Sequence, residues 1–176
     1  MNQFLKAAAF AALKHRDQRR KDQAASPYIN HPLAVANVLA NEVADVTDEV
    51  AITAALLHDT IEDTETSPQE IKDAFGTDVL SVVLEVTDDK SLPKKERKRL
   101  QVEHASSISH SAKLVKLADK ICNLRDMANS PPHDWPLSRR VEYFDWCKSV
   151  VDRMRGVHPG LEALFDEAYA SRPVSN

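Results

Sequence analysis

Apolar residues recur at the spacing of an α-helix along almost the whole chain, which contains only three glycines. The longest runs with this spacing lie at 3–21, 94–109, 111–128, 137–155 and 159–170. The β-branched residues between 79 and 86 are also compatible with a strand, but the apolar positions there keep helical spacing. The pattern predicts an all-α fold in one domain, residues 1–170, followed by a frayed tail at 171–176.

Capping signals indicate where several of these helices begin. Pro32 suits the first turn of a helix because its missing N–H would be unpaired there. Asp48 and Ser67 stand where the N-cap residues of two further helices are expected. The sequence Ser-Pro-Pro at 130–132 predicts a loop between two later helices. Together these signals predict a series of helices with no interdomain linker.

The composition narrows the class of protein. With 43% hydrophobic and 28% charged residues, the 176-residue chain has the balance of an ordinary globular protein. A net charge of −4 gives no electrostatic basis for binding nucleic acid. No stretch reaches the roughly 20 apolar residues needed to cross a bilayer, and we interpret the apolar run 4–13 as a first helix, not a signal peptide. Two distant cysteines suit a reducing cytosol, so we expect a cytoplasmic protein without membrane or nucleic-acid partners.

The positions of the glycines also exclude two common phosphate-binding sites. A P-loop or a dinucleotide-binding turn needs several closely spaced glycines so that the backbone can approach phosphate. Gly76, Gly156 and Gly160 cannot form such a loop. Any phosphate that the protein handles must therefore be held by side chains or by a metal ion.

Four ionisable residues lie within six positions at the end of the apolar run 51–57. His58 and Asp59 are neighbours, while Glu62 and Asp63 each follow one of them by four residues. This spacing predicts that each acid lies one helical turn beyond its partner on the same side. Because burying four such groups is costly unless a metal ion or a substrate compensates them, the cluster indicates a metal or substrate site.

Two other segments carry residues of the same kind. Asp119, Asn123 and Asp126 form a polar line on a later predicted helix, and His31 lies in the turn at the start of an earlier one. Two imidazoles and two carboxylates suit a divalent first-row ion, with room for water and a phosphate oxygen. Each residue also has a simpler interpretation, such as a capping His-Asp pair, a structural histidine, or an Asp119 paired with a neighbouring lysine. Spacing alone does not show that the three segments meet.

Several segments resemble the HD-type hydrolase domain of the RelA/SpoT proteins. They read HRDQRRK at 15–21, PYINHP at 27–32, ALLHDTIEDT at 55–64 and KLADKICNLR at 116–125, with VTDDKSLP at 86–93 and EYFDW at 142–146 extending the likeness. The resemblance covers about residues 3–168 and is greatest to the small stand-alone alarmone hydrolases, the animal-type SpoT homologues.

The resemblance implies a single HD-domain helical bundle that binds one manganese ion. It places the metal ligands at His31, His58, Asp59 and Asp119, and the acids that activate or orient the attacking water at Glu62 and Asp63. It places substrate contacts at Arg20, Lys21, Lys94, Asn123, Arg139 and Tyr143. The implied activity removes the 3′-pyrophosphate from guanosine tetraphosphate or pentaphosphate, which gives GDP or GTP.

Two other functions fit the same residues. One is a phosphohydrolase that uses the same metal site on NADP(H) or another phosphorylated nucleotide. The other is a non-catalytic module that binds a nucleotide, although the presence of all six metal and catalytic residues favours an enzyme. The chain has no room for a synthetase domain, so we expect a dedicated hydrolase of a small-molecule nucleotide. The sequence does not predict its oligomeric state.

Overall fold

In the computed structural model, which describes residues 3–174, the chain folds into helices joined by short loops. The helices are α1 (Gln3–Lys14), α2 (Asn30–Asn37), α3 (Glu49–Leu57), α4 (Thr60–Asp63), α5 (Pro68–Phe75), α6 (Thr77–Val86), α7 (Lys94–His104), α8 (His110–Asn129), α9 (Leu137–Asp152) and α10 (Pro159–Ala170). A π-helical segment, Val38–Glu42, continues α2. Across the described residues the only extended pairing is an isolated bridge between Arg19 and Pro27. The all-α prediction is confirmed, including a helix over 77–86.

The 20-residue helix α8 lies at the centre of the fold. It packs against α2, α3, α6, α9 and α10, and its residues Leu114, Leu117, Ile121 and Leu124 are all buried. Helix α3 is buried on every side from Ala51 to Leu57, as expected for a helix that has neighbours all around it. Because α3 packs on α8, the C-terminal end of α3 faces the middle of α8. This packing brings the sequence-distant polar residues together.

The predicted caps are present. The Asp48 carboxylate accepts a hydrogen bond of 2.9 Å from the Ala51 N–H and so begins α3. Ser67 and Glu70 form a capping box at the start of α5, in which each side chain accepts from the other residue's backbone N–H. Both caps occupy N–H groups that the helix itself leaves unpaired.

Three helices end earlier than their apolar spacing predicts. Helix α1 ends at Lys14 and not at residue 21, because residues 15–28 form a loop that is closed by its own backbone hydrogen bonds. Helix α7 ends at His104 and not at residue 109, because Ser109 is already the N-cap of α8. Helix α9 ends at Asp152 and not at residue 155, and Gly156 follows with a φ of +90°, a conformation that favours glycine. In each case the helix ends at a turn or at the cap of the next helix, although apolar residues continue at helical spacing beyond that point.

The C-terminal end of the domain was predicted at residue 170, where α10 also ends. Beyond it, the Arg172 guanidinium donates hydrogen bonds of 2.7 and 2.8 Å to the Asp145 carboxylate. Residues 175 and 176 of the predicted frayed tail lie outside the described residues, so fraying stays a prediction. None of the described helices combines the length and the hydropathy required to traverse a bilayer.

Phe165 tests the position of α10 in the core. Its side chain has no exposed surface, so Phe165→Ala loses the buried ring and leaves a cavity. We expect the free energy of unfolding to fall by about 3–5 kcal/mol, measured by urea denaturation followed by circular dichroism. Leu13→Ala is the control, since Leu13 is 60% exposed and a surface change costs within about 0.5 kcal/mol. Similar losses in the two variants would contradict the packing of α10.

Candidate active site

The helix that leads into the site stops before the His-Asp pair. Helix α3 ends at Leu57, and α4 begins again at Thr60. The His58 ring Nδ1 lies 2.7 Å from the Ala55 carbonyl oxygen, and the Thr60 hydroxyl donates to the Leu57 carbonyl oxygen at 2.7 Å. These side chains compete for carbonyls to which a continuing helix would bond. A turn at His58 and Asp59 thus separates α3 from α4, but the Asp63 N–H still donates to the Asp59 carbonyl oxygen at 2.9 Å, so Asp63 lies one helical turn beyond Asp59.

Four predicted metal-ligand residues converge from three segments. His31 comes from the first turn of α2, and its Nε2 lies 3.1 Å from Asp119 Oδ1 in the middle of α8. His58 Nε2 lies 3.0 Å from Asp59 Oδ2 and 3.8 Å from Asp119 Oδ1. His31 Nε2 also lies 3.8 Å from Asp59 Oδ2. One ligand atom each from His31, His58 and Asp119 falls within 4.8 Å of the other two. The spacing alone could not show that the three segments meet, and in the fold they do.

The donor set fits a divalent cation. Only a protonated Nδ1 can bond to the Ala55 carbonyl, so Nε2 is the His58 nitrogen that can offer a lone pair to a metal ion. This Nε2 is buried and has no hydrogen-bond partner among the described residues. A buried Nε2 beside two carboxylates needs a positive charge, which either a proton or a bound metal ion can supply. A histidine whose second nitrogen donates to a backbone carbonyl is also the usual form of a metal-bound histidine.

The charges of the cluster shift one another's pKa. Burial lowers the pKa of His58, but the carboxylates of Asp59 and Asp119 outweigh burial and raise this pKa to about 9. Burial raises the pKa of Asp59, but His58 and His31 hold it well below its usual range. Burial likewise opposes the ionisation of Asp119, while Lys120 and the two histidines lower its pKa far more. Both carboxylates thus stay ionised, as metal ligands must be.

The two acids that follow the His-Asp pair have different surroundings. Glu62 accepts a hydrogen bond of 2.9 Å from the Asp88 backbone N–H. Burial, together with nearby carboxylates, raises the pKa of Glu62 to about 7. Asp63 instead accepts from the Gln18 side-chain amide at 3.3 Å and forms an ion pair with Lys90. Both acids line one cavity of about 160 Å³ together with the four residues of the cluster.

A larger groove of about 570 Å³ adjoins this cavity, and both are lined by His31 and Asp63. Four of the predicted substrate residues form part of the groove wall: Arg20, Lys21, Asn123 and Tyr143. Lys94 and Arg139 lie on the ring of Trp135, which also lines the groove, with the Lys94 Nζ 5.7 Å and the Arg139 Cζ 4.0 Å from the ring centroid. The predicted substrate residues therefore surround one groove, although Arg139 and Lys94 reach it by way of Trp135.

The three polar residues predicted to lie along α8 belong to two different parts of the site. Asn123 donates a hydrogen bond of 2.6 Å to Asp119 Oδ1 and lines both cavities. Asp126 lies farther along and accepts a hydrogen bond of 2.6 Å from Arg20 on the groove wall. Asp126 therefore holds a groove arginine, while Asp119 belongs to the metal cluster.

Other residues of the site were not predicted from the sequence as metal, catalytic or substrate residues. The Tyr28 hydroxyl donates to Asp59 Oδ2 at 2.7 Å. Lys120 is buried and donates a hydrogen bond of 3.1 Å to Asp119 Oδ2. Asp119 is therefore paired with a neighbouring lysine, which was one of the simpler interpretations of this residue. Lys116 is buried in the wall of the smaller cavity, where burial lowers its pKa to about 8. The only sequence signal was that lysines lie on both sides of Asp119, one of them adjacent and one three residues before.

Comparison with known proteins identifies the family to which the chain belongs. The HD domain family matches residues 7–142. The guanosine-3′,5′-bis(diphosphate) 3′-pyrophosphohydrolase MESH1 of Xenopus tropicalis is 53% identical over 97% of this chain and 95% of its own length. The human MESH1 is 53% identical over 98% of this chain and 96% of its own length.

A solved structure shows the same fold. The protein in that structure is a metazoan orthologue of SpoT that hydrolyses ppGpp. Its structure superposes on this chain with a TM-score of 0.93 at 49% sequence identity, and the match covers 98% of this chain and 96% of that one. The family resemblance inferred from the sequence is thereby confirmed. The chain belongs to the HD-domain family and, within it, to the group of guanosine-3′,5′-bis(diphosphate) 3′-pyrophosphohydrolases that includes these animal proteins.

Proposed function

We propose that this protein hydrolyses guanosine 3′,5′-bis(diphosphate) and the corresponding pentaphosphate, removing the 3′-pyrophosphate to give GDP or GTP. The observation that carries the proposal is the cluster of two histidines and two carboxylates that opens onto a basic, aromatic groove. Relatives that share about half of their residues with this chain over nearly its whole length are named for the same activity.

The proposed cofactor is one manganese ion held by His31, His58, Asp59 and Asp119. Nitrogen and carboxylate oxygen donors suit a first-row divalent ion, and the unpartnered Nε2 of His58 supports binding there. When bound, such an ion polarises the phosphoryl group and lowers the pKa of water. The Tyr28 hydroxyl holds the Asp59 carboxylate, which fixes one ligand before the ion enters.

Glu62 and Asp63 are proposed to handle the attacking water. A general base works best when its pKa lies near the working pH, and the pKa of Glu62 is raised to about 7. Glu62 is therefore the better candidate to take the proton of the water. Asp63 is held by Gln18 and Lys90, so its carboxylate suits the task of orienting that water.

The groove suits a nucleotide that carries two diphosphates. Its volume of about 570 Å³ lies within the range of small-molecule sites. Arg20, Lys21, Lys94 and Arg139 are proposed to bind phosphate oxygens, because arginine and lysine donate charge-assisted hydrogen bonds to them. Tyr143 and Asn123 are proposed to contact the nucleoside. The two buried free cysteines support a cytoplasmic location for the enzyme.

The products of the reaction test the proposal. We expect purified protein with manganese to convert guanosine tetraphosphate to GDP and pyrophosphate, which chromatography and a pyrophosphate assay would measure. Chelation of the metal should abolish turnover and added manganese should restore it, because the ion supplies the polarisation. Release of orthophosphate from NADP(H), without pyrophosphate from guanosine tetraphosphate, would instead identify the alternative phosphohydrolase. Nucleotide binding without turnover of either would identify the non-catalytic module.

Substitution of the two acids tests their roles. Glu62→Gln and Asp63→Asn keep the size of each side chain but remove its charge. We expect kcat to fall by about 100-fold or more for each, with an unchanged circular dichroism spectrum. The matched control is Glu65→Gln, because Glu65 is exposed two residues farther along. Unchanged turnover in either acid variant would refute the role of that residue.

The raised pKa of Glu62 has a consequence for stability. The folded protein holds this proton up to a pH of about 7, whereas the ordinary pKa is 4.5. Stability from the protonated carboxyl is therefore lost as the pH rises from about 4.5 to about 7. In metal-free protein we expect Glu62→Gln to become more stable than the wild type with rising pH, by on the order of 3 kcal/mol at pH 8.

Urea denaturation with a chelator, at pH 5 and at pH 8, measures this difference. If the two proteins differed by the same free energy at both pH values, the pKa of Glu62 would not be raised by the fold.

A further inference from the structure

Two residues of the loop that joins α1 to α2 have no role in the reaction proposed above. His15 and Gln18 lie in the segment HRDQRRK, from which only Arg20 and Lys21 were assigned to the substrate. In the structure the two side chains form a hydrogen-bonded series that ends on Asp63, the acid proposed to orient the attacking water.

The chemistry of the three groups fixes the direction of each hydrogen bond. The Gln18 amide nitrogen lies 3.3 Å from Asp63 Oδ2, and the Gln18 amide oxygen lies 2.7 Å from the Nδ1 of His15. An ionised carboxylate accepts hydrogen bonds only, so Gln18 must direct its N–H groups toward Asp63. Its oxygen then faces His15, whose Nδ1 must carry the proton. The hydrogen bond from His15 Nδ1 thus holds the amide in the orientation that donates to Asp63.

The imidazole itself cannot move freely. His15 is 2% exposed, and its ring packs against the ring of Tyr28 with centroids 4.9 Å apart. The backbone N–H of Tyr28 donates to the Gln18 carbonyl at 3.1 Å, next to the bridge between Arg19 and Pro27. The loop is therefore closed on itself, and it holds the Gln18 side chain against a buried base.

Lys90 also contacts the Asp63 carboxylate, through an ion pair with its other oxygen, Oδ1. The Lys90 side chain is 50% exposed, so water screens this pair and the long side chain has many rotamers available. Gln18 differs because a buried partner fixes its amide. The Gln18 contact is the longer of the two, but its amide is held by His15, so its direction toward Asp63 is the better defined.

We propose that Gln18 is a positioning residue for Asp63 and that His15 fixes the orientation of the Gln18 amide. This inference rests on the proposed function, in which Asp63 is the acid that orients the attacking water. Removing an outer hydrogen-bond partner of a metal-site residue lowers activity by about 10- to 100-fold in comparable enzymes.

Gln18→Met tests the first contact, because methionine has a similar length but cannot form the two hydrogen bonds. We expect kcat to fall by about 10- to 100-fold, with a much smaller change in KM and an unchanged thermal midpoint. Arg16→Met is the matched control: Arg16 lies on the same turn, its side chain is 69% exposed, and within residues 3–174 its ion pair is with Asp17. A Gln18→Met enzyme with the kcat of the wild type would overturn the proposal.

A pair of substitutions at His15 separates positioning from packing. Asparagine places an N–H close to where Nδ1–H stands, whereas leucine has a similar size and no donor. We expect His15→Asn to keep most of the wild-type kcat and His15→Leu to lose about as much as Gln18→Met. Equal losses in the two His15 variants would assign His15 a packing role only and overturn its part of the proposal.

The tautomer of His15 gives a measurement that does not depend on activity. Imidazole ¹⁵N spectra of the wild-type protein should show a protonated Nδ1 and an unprotonated Nε2 on this residue, and the opposite tautomer would overturn the assignment. If the wild type releases no pyrophosphate from guanosine tetraphosphate, the proposed function fails while the tautomer still tests the contact. If pyrophosphate is released but Gln18→Met matches the wild type, only the positioning role fails.

Discussion

A buried hydrogen bond, from Nδ1 of His58 to the carbonyl oxygen of Ala55, sets the geometry on which the site depends. It lies where α3 ends, and it turns the other ring nitrogen toward Asp119 on α8. Because α3 is buried on every side from Ala51 to Leu57, the ring cannot shift unless the core shifts with it. The metal cluster is therefore built on the packing of α3 against α8, and not on a flexible loop. A site that must hold ligands to within a fraction of an ångström needs such support.

The electrostatics of the cavity follow from this burial. Four carboxylates line it, and four basic side chains lie near them. Lys116 and Lys120 line the cavity, Lys90 pairs with Asp63, and Arg97 lies 3.9 Å from Glu62. Lys120 neutralises part of the charge on Asp119 and also lies over the ring of Trp146 at 4.4 Å. Because the carboxylates raise the pKa of His58 to about 9, a metal ion must displace the proton on Nε2 in order to bind there.

The sequence predicted those parts of the fold that depend on local pattern. Helix α10 has the bounds that the apolar spacing predicts, because its buried residues recur with the helical period. Helix α1 is shorter than predicted because backbone contacts between Gln18 and Tyr28 close the loop that follows it. Contacts of this kind produce no repeating pattern of apolar residues, so the sequence does not reveal them. The same distinction applies to the site. The motifs located the clustered histidines and acids, whereas the partners that orient them, such as Tyr28 for Asp59, come from another segment and become visible only in the fold.

The loop at 15–28 links the larger groove to two carboxylates of the site, Asp59 and Asp63. Arg20 lies on the groove wall, pairs with Asp126, and its Cζ is 5.5 Å from the centre of the Tyr28 ring. In the same loop, Tyr28 donates a hydrogen bond to the carboxylate of Asp59, and Gln18 donates one to that of Asp63. A phosphate bound by Arg20 would therefore fix the same loop that orients Asp59 and Asp63, the proposed metal ligand and the proposed water-orienting acid. Binding energy from a part of the nucleotide that does not react would then hold the reacting groups in place, which is how remote contacts raise kcat as well as affinity.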